Sequence, residues 1–262
     1  MTYLDRILAA HRDAARQDLR PFPDLLRRAE DRPREDIRPF RAALEADAGA
    51  GHMAVIAEIK RRSPSKGDLA RDLVPDVQAK AYAAGGAACL SVLTDEQFFG
   101  GSPDDLEEAR RASGLPVLRK DFTVGPADVC DAALMGADAV LLITAALFPG
   151  LLRELHDLAL HLGLDALVEV HDEAEVEAAL AAGATLIGVN QRDLVTFAVD
   201  TARAVRLGGI IPSGVTRVAE SGIGAPADIA PLAAAGYHAV LVGEALVRAA
   251  DPAAAVAALR GA

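Results

Sequence analysis

The chain has 262 residues, 52% of them hydrophobic and 25% charged, with a formal net charge of -11. That length suits one large α/β domain or two small ones. The acidic balance argues against a nucleic-acid binder, which depends on a basic surface, although an acidic protein can still hold a small basic pocket for an anionic metabolite. Aromatics make up 4% with no Trp, so the core must be aliphatic.

Cys89 and Cys130 both sit in apolar patterns and read as buried thiols of a reducing compartment rather than a disulfide framework. The first turns carry Asp5, Arg6, Arg12 and Asp13, which leaves no apolar core for a signal peptide. The most apolar run, 139–152, is too short to span a bilayer and is broken by Pro149-Gly150. A cytoplasmic protein with no membrane or nucleic-acid partner is the expectation.

Residues 1–50 differ in pattern from the rest of the chain. Leu4, Ile7, Leu8 and His11 fall at helical spacing, Pro21 and Pro23 interrupt, and Pro39 precedes a second apolar cluster. Two or three short amphipathic helices are expected here, as an N-terminal extension packed on the body formed by 51–262. From Gly51 onward one phrase recurs: an Ala-rich helix, a glycine stop, then a short apolar run. It is seen at 83–93, 134–142, 180–189 and 233–242. Glycine just past a helix is the left-handed cap that lets the chain turn back into a strand. Together with the runs near 54–60, 116–121, 165–170 and 216–221, this gives eight strands, near 54–60, 88–94, 116–121, 139–144, 165–170, 185–190, 216–221 and 239–243.

Eight β/α units with continuous apolar strands and no antiparallel hairpin signal predict a single (β/α)8 TIM barrel of the α/β class. An open doubly wound sheet is the alternative. It usually carries a Gly-x-Gly-x-x-Gly turn after its first strand, and none follows Lys60.

In such a barrel the C-terminal strand ends build the active site. Here they bear Glu58 and Lys60, Lys120, Glu169, Asn190 and Glu220. Each alone has a bland explanation, a snorkelling lysine or a solvated ion pair; five strands converging on one rim outweigh it. After strands seven and eight come Ser221-Gly222 and Gly243-Glu244. Glycines at these turns let backbone N–H groups approach an anion, so a phosphorylated small molecule is expected. The six histidines are scattered, His171 reads as structural, and neither a metal nor a cofactor is expected.

Six motifs then carry a resemblance. Glu58-Ile-Lys60 with Ser63-Pro-Ser-Lys-Gly67, Ser91-Val-Leu-Thr94 with Phe98-Phe-Gly-Gly-Ser102, and Leu118-Arg-Lys-Asp-Phe122 are the first three. Val168-Glu-Val-His171, Gly188-Val-Asn-Gln-Arg-Asp-Leu194 and Glu220-Ser-Gly-Ile223 complete them. In this order, over essentially the whole chain, they resemble the indole-3-glycerol phosphate synthase family. Small departures fall at Ala219 and Gln191, beside functional positions.

The resemblance implies closure of 1-(2-carboxyphenylamino)-1-deoxyribulose 5-phosphate to indole-3-glycerol phosphate, with loss of carbon dioxide and water. It implies Lys120 as the acid of ring closure, Lys60 at the substrate carboxylate, Glu169 as proton carrier and Glu58 as its helper. Asn190 and Glu220 would orient the substrate, Arg192 and Leu194 would border it, and Phe98 and Phe122 would wall its ring. Ser63, Ser221, Gly222, Gly243 and Glu244 would hold the phosphate. Two neighbouring ammonium groups are expected to depress each other's pKa, making Lys120 a better acid. Two other barrel chemistries stay open, a phosphoribosylanthranilate isomerase-like reaction and a Schiff-base aldolase on Lys120, as does a non-catalytic barrel kept as a binding partner. A monomer, at most a weak dimer, is expected.

Overall fold

The computed structural model describes residues 2–64, 66–193 and 195–261. Eight strands form a closed parallel barrel: β1 (Ala54–Ile59), β2 (Cys89–Leu93), β3 (Val117–Lys120), β4 (Ala139–Ile143), β5 (Asp165–Val170), β6 (Leu186–Asn190), β7 (Thr216–Glu220) and β8 (Ala239–Val242). Each strand pairs with its neighbours in sequence, and β8 closes on β1 with Ala54 opposite Ala239. β1, β2, β4, β6 and β8 are buried along their whole length, because helices cover the outer face and side chains fill the inside. All eight lie within a residue or so of the predicted segments. The glycine stops hold too: Gly86, Gly136, Gly183 and Gly236 have φ between +80° and +94°, where an L-residue would be strained.

The N-terminal segment forms α1 (Tyr3–Gln17), α2 (Phe22–Glu30) and α3 (Phe40–Gly49). A reciprocal cap starts α1: Thr2 Oγ1 accepts the Asp5 N–H at 3.0 Å, and Asp5 returns the bond to the Thr2 N–H at 2.7 Å. α1 lies at the mouth of the barrel, where it buries Ile7 and Leu8. α3 lies at the floor. The backbone N–H groups of Arg38 and Arg41 donate to Asp138 and Asp165, at the starts of β4 and β5, both at 2.8 Å. Phe40 and Leu44 are fully buried against the barrel.

The remaining helices alternate with the strands: α4 (Pro75–Ala84), α5 (Glu96–Phe99), α6 (Pro103–Ser113), α7 (Pro126–Leu134), α8 (Pro149–His161), α9 (Glu173–Ala181), α10 (Thr201–Gly208), α11 (Ile229–Ala234), α12 (Glu244–Val247) and α13 (Pro252–Arg260). One expectation fails. The loop after β1 does contain an antiparallel ladder, Arg62–Ser63 against Gly67–Asp68, too short to leave a periodic signal. Among the described residues no helix is long and apolar enough to cross a membrane.

Candidate active site

A cavity of about 630 Å³ opens at the C-terminal ends of the strands. Glu58, Lys60, Lys120, Glu169, Asn190 and Glu220 all line it, and so do Ser63, Phe122 and Arg192. Its far wall is built by Ser221, Gly222, Gly243 and Glu244. The rim residues come from β1, β3, β5, β6 and β7, each at or next to its strand's last residue.

The charges are organised in two groups. Lys60 Nζ lies 2.5 Å from Glu58 Oε1, as their i, i+2 spacing requires. Lys120 Nζ donates to Glu220 Oε2 at 2.8 Å and Glu169 Oε2 at 3.1 Å. Asn190 Nδ2 donates to the other oxygen of Glu169 at 3.1 Å, and the Asn190 Oδ1 accepts the Arg192 N–H at 3.0 Å. Glycine makes this crowding possible at two places. A Cβ on Gly188 would stand 2.1 Å from Glu220 Oε1, and one on Gly243 would stand 2.4 Å from Glu58 Oε1.

The electrostatics correct one expectation. Lys120 is not made more acidic by Lys60. Burial lowers its proton affinity, but Glu220, Glu169 and Glu58 outweigh that and raise it above the ordinary lysine value. Three carboxylates against two ammonium groups decide the sign. Burial alone would raise Glu169, yet Lys120, His171 and Asn190 hold it well below the usual carboxylate range. Glu220 goes the other way: burial pushes it up to about 7, against the pull of Lys120. Its Oε1 is buried and has no hydrogen-bond partner among the described residues.

The far wall has strained backbone. Ser221 has φ +67° and Gly222 φ +71°, a left-handed pair of which the first carries a side chain. Gln191 holds the turn, donating from Nε2 to the Ser221 carbonyl at 2.7 Å. Glu244 brings a negative side chain to this wall; Arg248, one helical turn on, lies 3.7 Å from it and lines the cavity as well.

One assigned residue is not found there, and another lies outside the described residues. Phe98 does not line the cavity: consecutive residues of a helix point about 100° apart, so Phe98 turns to Tyr3 at a ring distance of 6.0 Å. Phe99 takes the inner place, 6.2 Å from the ring of Phe122. Leu194 lies outside the described residues, as does Ser65 in the loop after β1. Sequence reasoning missed Tyr3, Leu4 and Ile7, which α1 contributes to the cavity; their helical spacing marked a buried face without saying against what.

Among the described residues His11, Asp95 and Asp121 form a group with metal-ligand geometry, a juxtaposition that sequence spacing hid. Its oxygens are engaged. Asp95 accepts from His11 at 2.8 Å and caps α5 through the Phe98 and Phe99 N–H groups. Asp121 accepts from Thr94, Arg119 and the Phe122 N–H. The arrangement fits a clasp between α1 and the rim better than a cation site.

Residues 4–259 match the family model described as indole-3-glycerol phosphate synthase. A relative of that name from a Polaromonas species is 48% identical over 98% of both chains. One from Aromatoleum aromaticum is 49% identical over 95% of both. Solved structures add the fold alone. Thiamine phosphate pyrophosphorylase from Pyrococcus furiosus superposes with a TM-score of 0.58 at 16% identity, covering 79% of this chain and 93% of its own.

Proposed function

The chain belongs to the indole-3-glycerol phosphate synthase family, and on that premise we propose that Lys120 is the acid and Glu169 the base of its reaction. The enzyme is a carboxy-lyase of tryptophan biosynthesis that closes 1-(2-carboxyphenylamino)-1-deoxyribulose 5-phosphate to indole-3-glycerol phosphate. The observation that carries the assignment is the position of Lys120 Nζ, inside the mouth and between Glu169 and Glu220 at 3.1 and 2.8 Å.

As the aromatic carbon attacks the ketone, charge develops on oxygen and Lys120 protonates it. Its raised proton affinity is no obstacle, because an alkoxide is a far stronger base than an amine. Lys60 receives the substrate carboxylate and orients it, with Glu58 holding the ammonium in place. Carbon dioxide then leaves, its bonding electrons returning to the ring. In the dehydration Glu169, ionised across the neutral range, takes the proton from carbon, and the hydroxyl departs as water with a proton from the Lys60 ammonium. Glu220 keeps its second oxygen free as an acceptor for the substrate's amine, and Asn190 and Arg192 set the hydroxyls. Phe122, with Phe99 in place of Phe98, walls the ring.

The phosphate lies against Ser63 and the backbone N–H groups of Ser221, Gly222, Gly243 and Glu244, where the left-handed Ser221-Gly222 turn and the two glycines let the backbone come close to an anion. The steps are a carbon–carbon bond formation, a decarboxylation and proton transfers that these side chains serve themselves. The enzyme works as a cytoplasmic monomer with no nucleic-acid or membrane partner. The test is to mix the protein with the substrate and follow indole fluorescence for wild type and Lys120→Met. Wild type should turn over, and the variant should lose roughly 10²- to 10⁴-fold in kcat. A variant turning over near the wild-type rate would overturn the assignment.

A further inference from the structure

Glu169 has a neighbour that the mechanism leaves idle. His171 follows it by two residues, just past the end of β5, so both side chains leave the same side of the chain. Its Nδ1 lies 3.0 Å from Glu175 Oε2, and its Nε2 lies 3.4 Å from Glu169 Oε1. Glu175 is itself fixed in the first turn of α9. Its Oε2 also accepts the His171 backbone N–H at 2.8 Å, and its own N–H is capped by Asp172 at 2.9 Å. The imidazole is therefore anchored on one side and points its other nitrogen at the base.

A neutral imidazole has one N–H, so it can donate to one carboxylate and must turn a lone pair toward the other. Both ring nitrogens here stand close to carboxylate oxygens, an arrangement that favours the imidazolium over either neutral tautomer. The Nε2 contact is an ion-pair approach rather than a closed hydrogen bond; such contacts tighten when substrate completes the site. We propose that His171 is a positioning residue: an imidazolium, anchored by Glu175, that fixes Glu169 and keeps its carboxylate ionised for proton abstraction. This rests on the reading of Glu169 as the base.

The order of proton transfers shows why a second cation is needed. Glu169 faces two positive groups, Lys120 from β3 and His171, with Asn190 of β6 on the same oxygen that His171 approaches. Lys120 also serves Glu220 of β7. When Lys120 gives its proton to the ketone oxygen, Glu169 loses that cation before it has acted. His171, facing Glu169 on its own strand and Glu175 from α9, is the positive charge that remains. Burial lowers the imidazole's proton affinity, but these two carboxylates outweigh it and push its pKa up to about 10.

The experiment compares His171→Ala, His171→Asn and Glu169→Gln in the full chain by kcat, KM and the pH profile of kcat, with thermal midpoints alongside. Loss of the imidazolium should lower kcat near neutral pH by roughly tenfold or more and shift the acidic limb of the profile up by about one pH unit. KM should change by less than about threefold, since His171 acts through Glu169 and not on bound substrate. Asn offers one neutral donor at similar size, so it should fold even where Ala fails and should still show the shifted limb. An unshifted limb, whether turnover is kept or lost uniformly, would overturn the proposal while Glu169→Gln is inactive. An active Glu169→Gln would instead remove the base assignment, and the proposal with it.

Discussion

The two ends of this barrel use buried carboxylates in opposite ways. At the floor Asp138 is fully buried. Its Oδ1 accepts from the Arg38 N–H at 2.8 Å and Arg110 Nη2 at 2.9 Å; its Oδ2 accepts from the Val117 N–H at 2.9 Å and Arg110 Nε at 3.1 Å. Arg32 adds a second cation at 3.5 Å. Every lone pair is spoken for, by donors from α6, from the start of β3 and from the chain leading into α3. At the mouth Glu220 is equally buried, yet it accepts from Lys120 alone, and its Oε1 has no partner among the described residues. A saturated carboxylate ties elements together. An unsaturated one, kept at the expense of stability, marks where a substrate is to supply the missing partner.

Four substitutions sharpen that contrast. The largest effect is expected at the mouth: Glu169→Gln should lower kcat by roughly 10²- to 10⁴-fold, read by steady-state assay, a loss out of proportion to any fall in unfolding midpoint. At the floor Asp138→Ala should do the reverse. It leaves Arg110 and Arg32 without their counter-ion and should cost about 3–5 kcal/mol of stability, measured by denaturant unfolding, with kcat near wild type wherever the protein is folded. If Asp138→Ala kept full stability, the division between the two ends would fail.

Glu220 supplies a pH signature. Its folded-state pKa is raised to about 7 from an ordinary value of 4.5, so the folded protein binds more protons there than the unfolded chain. Its contribution to stability therefore worsens as pH rises from about 4.5 to about 7. Glu220→Gln should remove that decline, so the variant's midpoint gains on wild type across this window.

The smallest effect is expected at the His11 clasp. Burial lowers the His11 pKa, but Asp95 and Asp121 outweigh it and raise it above 6.5. The clasp is complete below about 6.5 and is lost as pH rises through the folded value. Hydrogen exchange in 3–17 should speed up modestly over that rise, on the scale of a partly exposed pair worth about 1 kcal/mol or less. His11→Ala should abolish the pH dependence.

Much of this was legible in the chain itself. Continuous apolar runs and glycine stops such as Gly136 and Gly183 mark strands and turns by local chemistry, and strand ends such as Glu58-Ile-Lys60 declare their direction by period two. What stayed hidden depends on contacts between distant segments. That Lys120 is matched by Glu169 and Glu220, 49 and 100 residues away, follows only from closing the barrel, and it reverses the sign of the expected pKa shift. Gly188 looks like any strand glycine until Glu220 is seen lying over it. Phe98 and Phe99 are equivalent in sequence; the register of a four-residue helix decides which one faces the cavity. Asp138 carried no signal at all, since its partners come from three separate segments.

The most direct test of the central claim is to measure turnover and thermal midpoint together for Glu220→Gln at neutral pH. An unsaturated carboxylate kept for chemistry requires turnover to fall by about 10²-fold or more while the midpoint stays at or above that of wild type. A midpoint that drops by several degrees with turnover preserved would make Glu220 a structural residue like Asp138 and would contradict the account.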